Sequence, residues 1–173
     1  MVDIIYQMGA DAMSNQASVK ITPLSFMKNT EALQLRISSF KIPGYKISKY
    51  DTQYKGYTIK RAKKGNEEDR TLTIPFRVDR HWELYNMLRD WGKLIYDHDE
   101  GDSGLGDVPE LRTSVQVSID GGPTFVYEGC IYDELPEVEF DQTSEGEPIM
   151  VSFVMTYLKC IETRRDSKST EEN

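Results

Sequence analysis

A mainly β fold with one helix (α+β), two packed antiparallel sheets in a small barrel or sandwich, is what this sequence predicts. Three observations lead there. Short runs that alternate apolar and polar residues recur at 17–21, 33–40, 70–78, 113–119, 124–132 and 149–158. Pro/Gly punctuation such as "KIPGY" and "DGGP" falls between them. One stretch alone, 79–97, has the 3.6-residue period of a helix. With 173 residues, 38% hydrophobic and 29% charged, the composition fits one domain with one core.

Taken in order, "ASVKI" and "LQLRISSF" read as strands, the second with Leu33, Leu35 and Ile37 on one face. Pro43 and Gly44 then break the run as a turn. "YKISKY" and "YTIKRA" follow as the arms of a long hairpin around "DTQYKG", with Gly56 near its bend. "RTLTIPFRV" puts Leu72, Ile74, Phe76 and Val78 on one side. Pro75 has no N–H for a ladder, so this strand belongs at an edge or carries a bulge. In "DRHWELYNMLRDWGKLIYD" Asp79 caps the start, and Leu84, Leu88, Trp91 and Ile95 make the core stripe, flanked by Met87 and Leu94. Trp82, Tyr85, Arg89, Lys93 and Tyr96 gather on another face, an aromatic and basic cluster suited to a protein partner. "TSVQVSI", the turn "DGGP" and "TFVYEGCIY" form a hairpin, and "IMVSFVMTYL" is the last strand. Residues 1–16 read as an N-terminal arm and 163–173 as a flexible charged tail around the 17–162 domain.

Between helix and strand lies "DHDEGDSGLGD", 97–107, with five acids and three glycines. Numbered from Asp99 it partly matches a calcium loop. Gly101 occupies a ligand position, however, and Pro109 and a strand stand where the second helix of such a motif belongs. It reads as a connection. His81 and His98 have no spaced partner for zinc, and no nucleophile elbow, P-loop or dinucleotide fingerprint appears, so neither an enzyme nor a cofactor is expected. Cys130 and Cys160, inside apolar strand patterns, are expected as buried reduced thiols. No apolar run is long enough to span a bilayer, and "MVDIIYQMGADAM" shows no basic leader, so synthesis in the cytoplasm is expected.

Charge is unevenly spread within a total of −8. Lys41 to Lys64 carries eight bases against Asp51, while Asp97 to Glu147 carries fifteen acids against Arg112. Such a chain can meet copies of itself head to tail. The rival reading, a DNA-binding module using the basic 41–64 hairpin, lacks a recognition helix and works against the net charge.

A strand ending in "KIPGY", a hairpin containing "YKGYTI", then "RTLTIPFRVD" and a helix carrying "LRDW" resembles, in that order, the tail tube proteins of contractile-tailed bacteriophages. The stretch "YEGCIYDELPEVEFDQTSEGEPIMVSFVMTYLKCIE" is similar to the Gly–Pro–acidic segment and final strand of that family, and the likeness covers roughly 17–161. The two arms and the acidic 97–107 loop depart from it.

The resemblance implies a structural subunit of a virion tail, made in the host bacterial cytoplasm. Its hexameric rings stack head to tail into a hollow tube that conducts DNA without specific binding and without a membrane. Expected partners are further copies of itself, the tail sheath protein, the baseplate or tube initiator and the tape measure protein. A tube initiator ring and the inner tube of a bacterial contractile injection system are the alternatives. About four inner strands from each of six subunits, ~4.8 Å apart and tilted, give a backbone ring roughly 45–50 Å across. Lys46, Lys49, Lys55, Lys60, Arg61, Lys63 and Lys64 are then expected to stack against Glu137, Glu139 and Asp141. Trp82, Tyr85 and Arg89 are expected to face the sheath. An acidic or neutral wall is expected, from Ser114, Gln116 and Ser118 on one strand and Thr124, Glu128 and Cys130 on the next.

Overall fold

The computed structural model describes residues 17–28, 34–44, 47–63, 70–101, 104–140, 143 and 146–164. Along the chain come β1 (Ala17–Ile21), β2 (Lys49–Tyr54), β3 (Tyr57–Ala62), β4 (Thr71–Arg77), helix α1 (Glu83–Ile95) and a 3-10 turn at Pro109–Leu111. Then follow β5 (Thr113–Ile119), β6 (Thr124–Glu134), β7 (Met150–Thr156) and β8 (Lys159–Thr163). The mainly β class with one helix and antiparallel sheets is borne out. Among the described residues no barrel closes.

Two sheets arise from one bent ribbon. The first half of β6 pairs β5 on one side and β8 on the other, and β1 completes this sheet, which we call the front sheet. The second half of β6 pairs β7, and β7 pairs β4, which makes the rear sheet. β7 and β8 follow each other along the same side of β6, from Ile131↔Thr156 to Glu128↔Lys159. The bend sits at Gly129, whose φ of +67° only glycine adopts without strain. A Cβ there would lie 2.7 Å from Leu158 Cδ1.

Polar contacts hold the bend. The Leu158 N–H donates to the Glu128 carbonyl at 3.0 Å, and Arg70 donates to the Leu158 carbonyl. Arg112 donates to the Gly129 carbonyl at 2.7 Å while its other nitrogens grip the Asp107 carboxylate.

Between the sheets lies one core. Val115, Val117, Tyr127 and Cys130 come from the front sheet, and Leu72, Ile74, Phe76, Val151, Phe153 and Met155 from the rear. Leu84, Leu88 and Trp91 of α1 close it. Burying each large apolar side chain contributes about 1.5–3 kcal/mol. Trp91 is also oriented by its indole N–H, which donates to the Leu111 carbonyl at 3.0 Å. Gly92 lets the helix approach Tyr132, whose ring a Cβ would meet at 2.9 Å. Pro75 lies where expected, since β4 ends the strand order.

Several expectations need correction. The strand expected at 33–40 is a helical turn at 34–36 and a single bridge, Ile37↔Phe76, with Leu35 86% exposed. Among the described residues this segment meets β4 alone, which has Pro75 on its ladder, and the Ser38 N–H takes the Pro75 carbonyl instead. In the hairpin, "DTQY" belongs to the strand. The turn is Lys55–Gly56, with φ of 45° and 83°, a two-residue geometry that matches strand twist. β8 has no counterpart in the sequence reading. It exposes every residue, and Cys160 on it is exposed, against the expectation of burial, whereas Cys130 is buried. Pro43 and Gly44 lie in irregular chain.

Candidate assembly surfaces

The front sheet has a polar face opposite the core. Paired residues share a face, so its rows run Ser18–Ser118–Thr124–Thr163 and Lys20–Gln116–Val126–Ile161, with Glu128 opposite Lys159. Ser114 joins them, its hydroxyl 2.7 Å from that of Thr22. Ser114, Gln116, Ser118, Thr124 and Glu128, singled out from sequence, are therefore brought together on one surface. Cys130 is not. The bulge at Gly129 adds a residue, resets the alternation and turns Cys130 into the core, where its Sγ lies 3.3 Å from the Tyr127 carbonyl. Burial pushes its thiol up to about 11. Sequence reasoning missed Lys20 and Lys159. The alternation of "ASVKI" carried the signal for Lys20, and the unrecognised β8 hid Lys159. Among the described residues β1 and β8 each have a strand neighbour on one side only, so both outer edges of this sheet are open.

β2 and β3 form a separate two-stranded sheet in which only Thr52 is even half-buried. Lys49, Lys55, Lys60, Arg61 and Lys63 are all exposed on it, whereas Lys46 and Lys64 lie outside the described residues. Register divides the two faces. Tyr50, Thr52 and Tyr54 lie opposite Arg61, Ile59 and Tyr57, and Lys49, Asp51 and Gln53 lie opposite Ala62, Lys60 and Thr58. One face thus gathers Tyr50, Tyr54, Tyr57 and Ile59 with Thr52 and Arg61, and the other is polar but for Ala62. Of the expected acidic partners, Glu137 and Glu139 are exposed in the chain leaving β6, and Asp141 lies outside the described residues.

Trp82 precedes α1 with φ 59° and ψ 20°, a left-handed conformation costing roughly 1–2 kcal/mol for a non-glycine residue. Its indole meets Tyr85 edge-on at 5.2 Å and Phe140 at 5.8 Å, so the expected aromatic face is partly covered from the acidic segment. Arg89 stays exposed. Asp79 holds the chain entering the helix, its carboxylate accepting N–H groups from His81, Glu83 and Leu84 at 3.1–3.2 Å. Burial opposes its ionisation, but the Glu83 and Leu84 amides prevail and hold the carboxyl below its ordinary value.

The 97–107 loop finishes the helix. Leu105 and Gly106 donate their N–H groups to the Leu94 and Ile95 carbonyls at 2.9 and 3.0 Å. A Cβ at Gly104 would lie 2.0 Å from the Ile95 oxygen. Asp102 and Ser103 lie outside the described residues. Arg112 holds the Asp107 carboxyl below the usual carboxylate range, chiefly through their hydrogen bonds. Among the described residues no three His, Cys, Asp or Glu side chains are grouped to hold a metal, and no helix is long and apolar enough to cross a membrane.

No protein-family model matches the chain, and no curated protein matches it in sequence. Solved structures do match in fold. A chain of the sheath/tube terminator of an extracellular contractile injection system, PVC, in the extended state superposes with a TM-score of 0.59 at 14% identity, covering 90% of this chain and 98% of that one. A chain of the anti-feeding prophage tube terminating cap gives 0.60 at 13%, covering 91% and 93%. One from the PVC sheath–tube complex gives 0.57 at 14%, covering 90% and 93%. The chain has the fold found in these tube and cap assemblies of contractile injection systems.

Proposed function

We propose that this chain is a structural subunit of the tail tube of a contractile phage tail, forming hexameric rings that stack into a hollow conduit for DNA. The observation that carries this reading is the front sheet. It has four strands, open edges at β1 and β8, a polar outer face and an apolar inner one. Joining β8 of one copy to β1 of the next removes both edges and continues the sheet around a ring. Four strands from each of six subunits is the number that gives the backbone ring roughly 45–50 Å across. The polar face, with Ser114, Gln116, Ser118 and Glu128, then lines the lumen, and α1 with Arg89 lies on the outside, where a sheath protein attaches. The basic hairpin and the acidic C-terminal half supply head-to-tail stacking, a heterologous contact that yields a filament. The tape measure protein and baseplate complete the set of partners, in a virion tail assembled from subunits made in the bacterial cytoplasm.

The likeness to terminator and cap structures supports a second reading, a ring that ends a tube in an injection system. Electron microscopy of the purified chain over a concentration series distinguishes the two. A wall subunit gives long hollow rods and a terminal ring gives rings that do not lengthen. Dispersed monomers at every concentration would refute both.

A further inference from the structure

On the polar face of the front sheet the paired positions carry two bases, Lys20 and Lys159, and one acid, Glu128. All three are exposed. Glu128 and Lys159 are partners across the β6–β8 ladder. The ion pairs among the described residues nevertheless lie elsewhere, at Lys93–Asp99, Arg112–Asp107 and Arg164–Glu162. In a chain whose total charge is −8, a face with more bases than acids runs against its background. Hydroxyl and amide donors stand between the charges, at Ser18, Ser118, Thr124, Thr163 and Gln116, and none of the paired positions on this face is aromatic.

The two lysines stand at opposite margins of the sheet, Lys20 on β1 and Lys159 on β8, the strands with an open edge. Three successive antiparallel pairings leave β8 running against β1, so a joint from β8 to β1 of the next copy is itself antiparallel. Polar residues stay on the polar face only if that joint keeps parity, which sets Lys20 of the next copy opposite Lys159, Ile161 or Thr163. Continuing the row Lys20–Gln116–Val126–Ile161 selects Ile161. Lys159 is then one diagonal step away, about 7–8 Å. Like charges so close repel each other, and an anion held between them turns that repulsion into a shared contact.

We propose that Lys159 of one copy and Lys20 of the next form a phosphate site at each joint, and that its ligand is the backbone of duplex DNA lying along the polar face. The inference rests on the tube reading above and adds to it a wall that touches its cargo. Lysine, serine, threonine and glutamine side chains contact phosphate oxygens without reading sequence. Without aromatic side chains, bases have nothing to stack on. Charges act over about 8 Å at physiological salt, so the long, flexible lysine stems are the groups that reach a duplex. Contact is therefore weak, independent of sequence and steeply dependent on salt. Each phosphate neutralised adds about 0.9 to the slope of log affinity against log salt.

Co-sedimentation of the assembled full chain with a short fluorescent DNA duplex, over a sodium chloride series, measures the contact, and electron microscopy of the same samples reports assembly. Retention at low salt is expected, falling as salt rises. Lys20→Gln and Lys159→Gln should each leave assembly intact and make the salt dependence shallower, and the two together should lower affinity at low salt about tenfold or more. Lys20→Glu should pair with Lys159 across the joint, tightening association at low salt while releasing the duplex. Retention kept by these variants but lost with Lys60→Gln and Arg61→Gln would put the DNA on the hairpin and overturn this site. Retention of poly-glutamate in place of the duplex would assign the face to an acidic protein and overturn it as well. Assembled particles that hold no duplex at low salt would overturn the site and leave the tube reading standing. A chain that never assembles would overturn both.

Discussion

Gly129→Ala tests the bend on which both sheets depend. At φ +67° an alanine costs roughly 1–2 kcal/mol in backbone conformation. Its methyl would also stand 2.7, 2.9 and 3.1 Å from Cδ1, Cγ and Cβ of Leu158, closer than those carbons tolerate. Leu158 is 56% exposed, so its side chain has room to turn, but its backbone is tied to Glu128 and Arg70. Overpacking of this kind costs about 1–3 kcal/mol where nothing yields, and partial relief puts the total at about 2–3 kcal/mol. At about 2–4 °C per kcal/mol for a chain of this size, the melting temperature should fall by roughly 4–12 °C. Leu158→Ala isolates the steric part. Alone it costs little, and combined with Gly129→Ala it should recover about 1 kcal/mol, read as a coupling energy in a double-mutant cycle followed by urea unfolding. A Gly129→Ala protein as stable as the parent to within about 0.5 kcal/mol would show that the bend does not need glycine. An additive cycle would show that Leu158 does not press on it.

Asp79→Ala should cost about 1 kcal/mol through loss of the N-terminal cap, with amide exchange at Glu83 and Leu84 accelerating first. Because the folded carboxyl is held below its ordinary 3.8, its contribution is complete above that pH and fades as pH falls through the folded value. Asp79→Asn should therefore flatten the acid limb of the stability curve, which acid titration followed by circular dichroism checks. Of the two thiols, Cys160 should react with a disulfide reagent in the native chain, slowed because partial desolvation raises its pKa against the hydrogen bond from Tyr127. Cys130 should react only on unfolding, so two thiols reacting at once in native buffer would contradict its burial. Glu128→Lys removes the one acid among the paired positions of the front-sheet face and puts a second lysine opposite Lys159. Under the tube reading assembly persists and DNA ejection slows in a way that added salt relieves. Unchanged ejection at low salt would place this face elsewhere than the lumen.

The elements the sequence revealed were those whose local pattern agreed with their tertiary use. Leu72, Ile74 and Phe76 alternate because one side of β4 is core, and Leu84, Leu88 and Trp91 recur because one side of α1 is. "LQLRISSF" has the same alternation, yet among its described residues Ile37 alone finds a ladder partner, and period carries no information about whether a neighbour exists. β8 was missed for the converse reason. "KCIET" is exposed on both faces, so it has pairing without periodicity. On the polar face of the front sheet, Ser114, Gln116, Ser118 and Glu128 were legible from alternation, and Cys130 was misplaced because a single left-handed glycine shifts parity and leaves no trace in an apolar–polar count. The charge asymmetry was plain in the chain, but only register showed that the basic hairpin has an aromatic side.

Because β6 is one covalent strand shared by both sheets, the two layers have no plane along which they can shear apart. A pull on the front sheet along the strand direction passes through the β6 backbone into the rear one. There the ladder bonds between β6 and β7 are loaded side by side in shear and resist together, instead of opening one after another like a zipper. Arg112 and Arg70 clamp the elbow where that load changes direction, so tension straightens the ribbon only after both guanidinium groups let go. Under the tube reading, this stiffness lies along the path where a thin-walled cylinder under sudden axial thrust needs it.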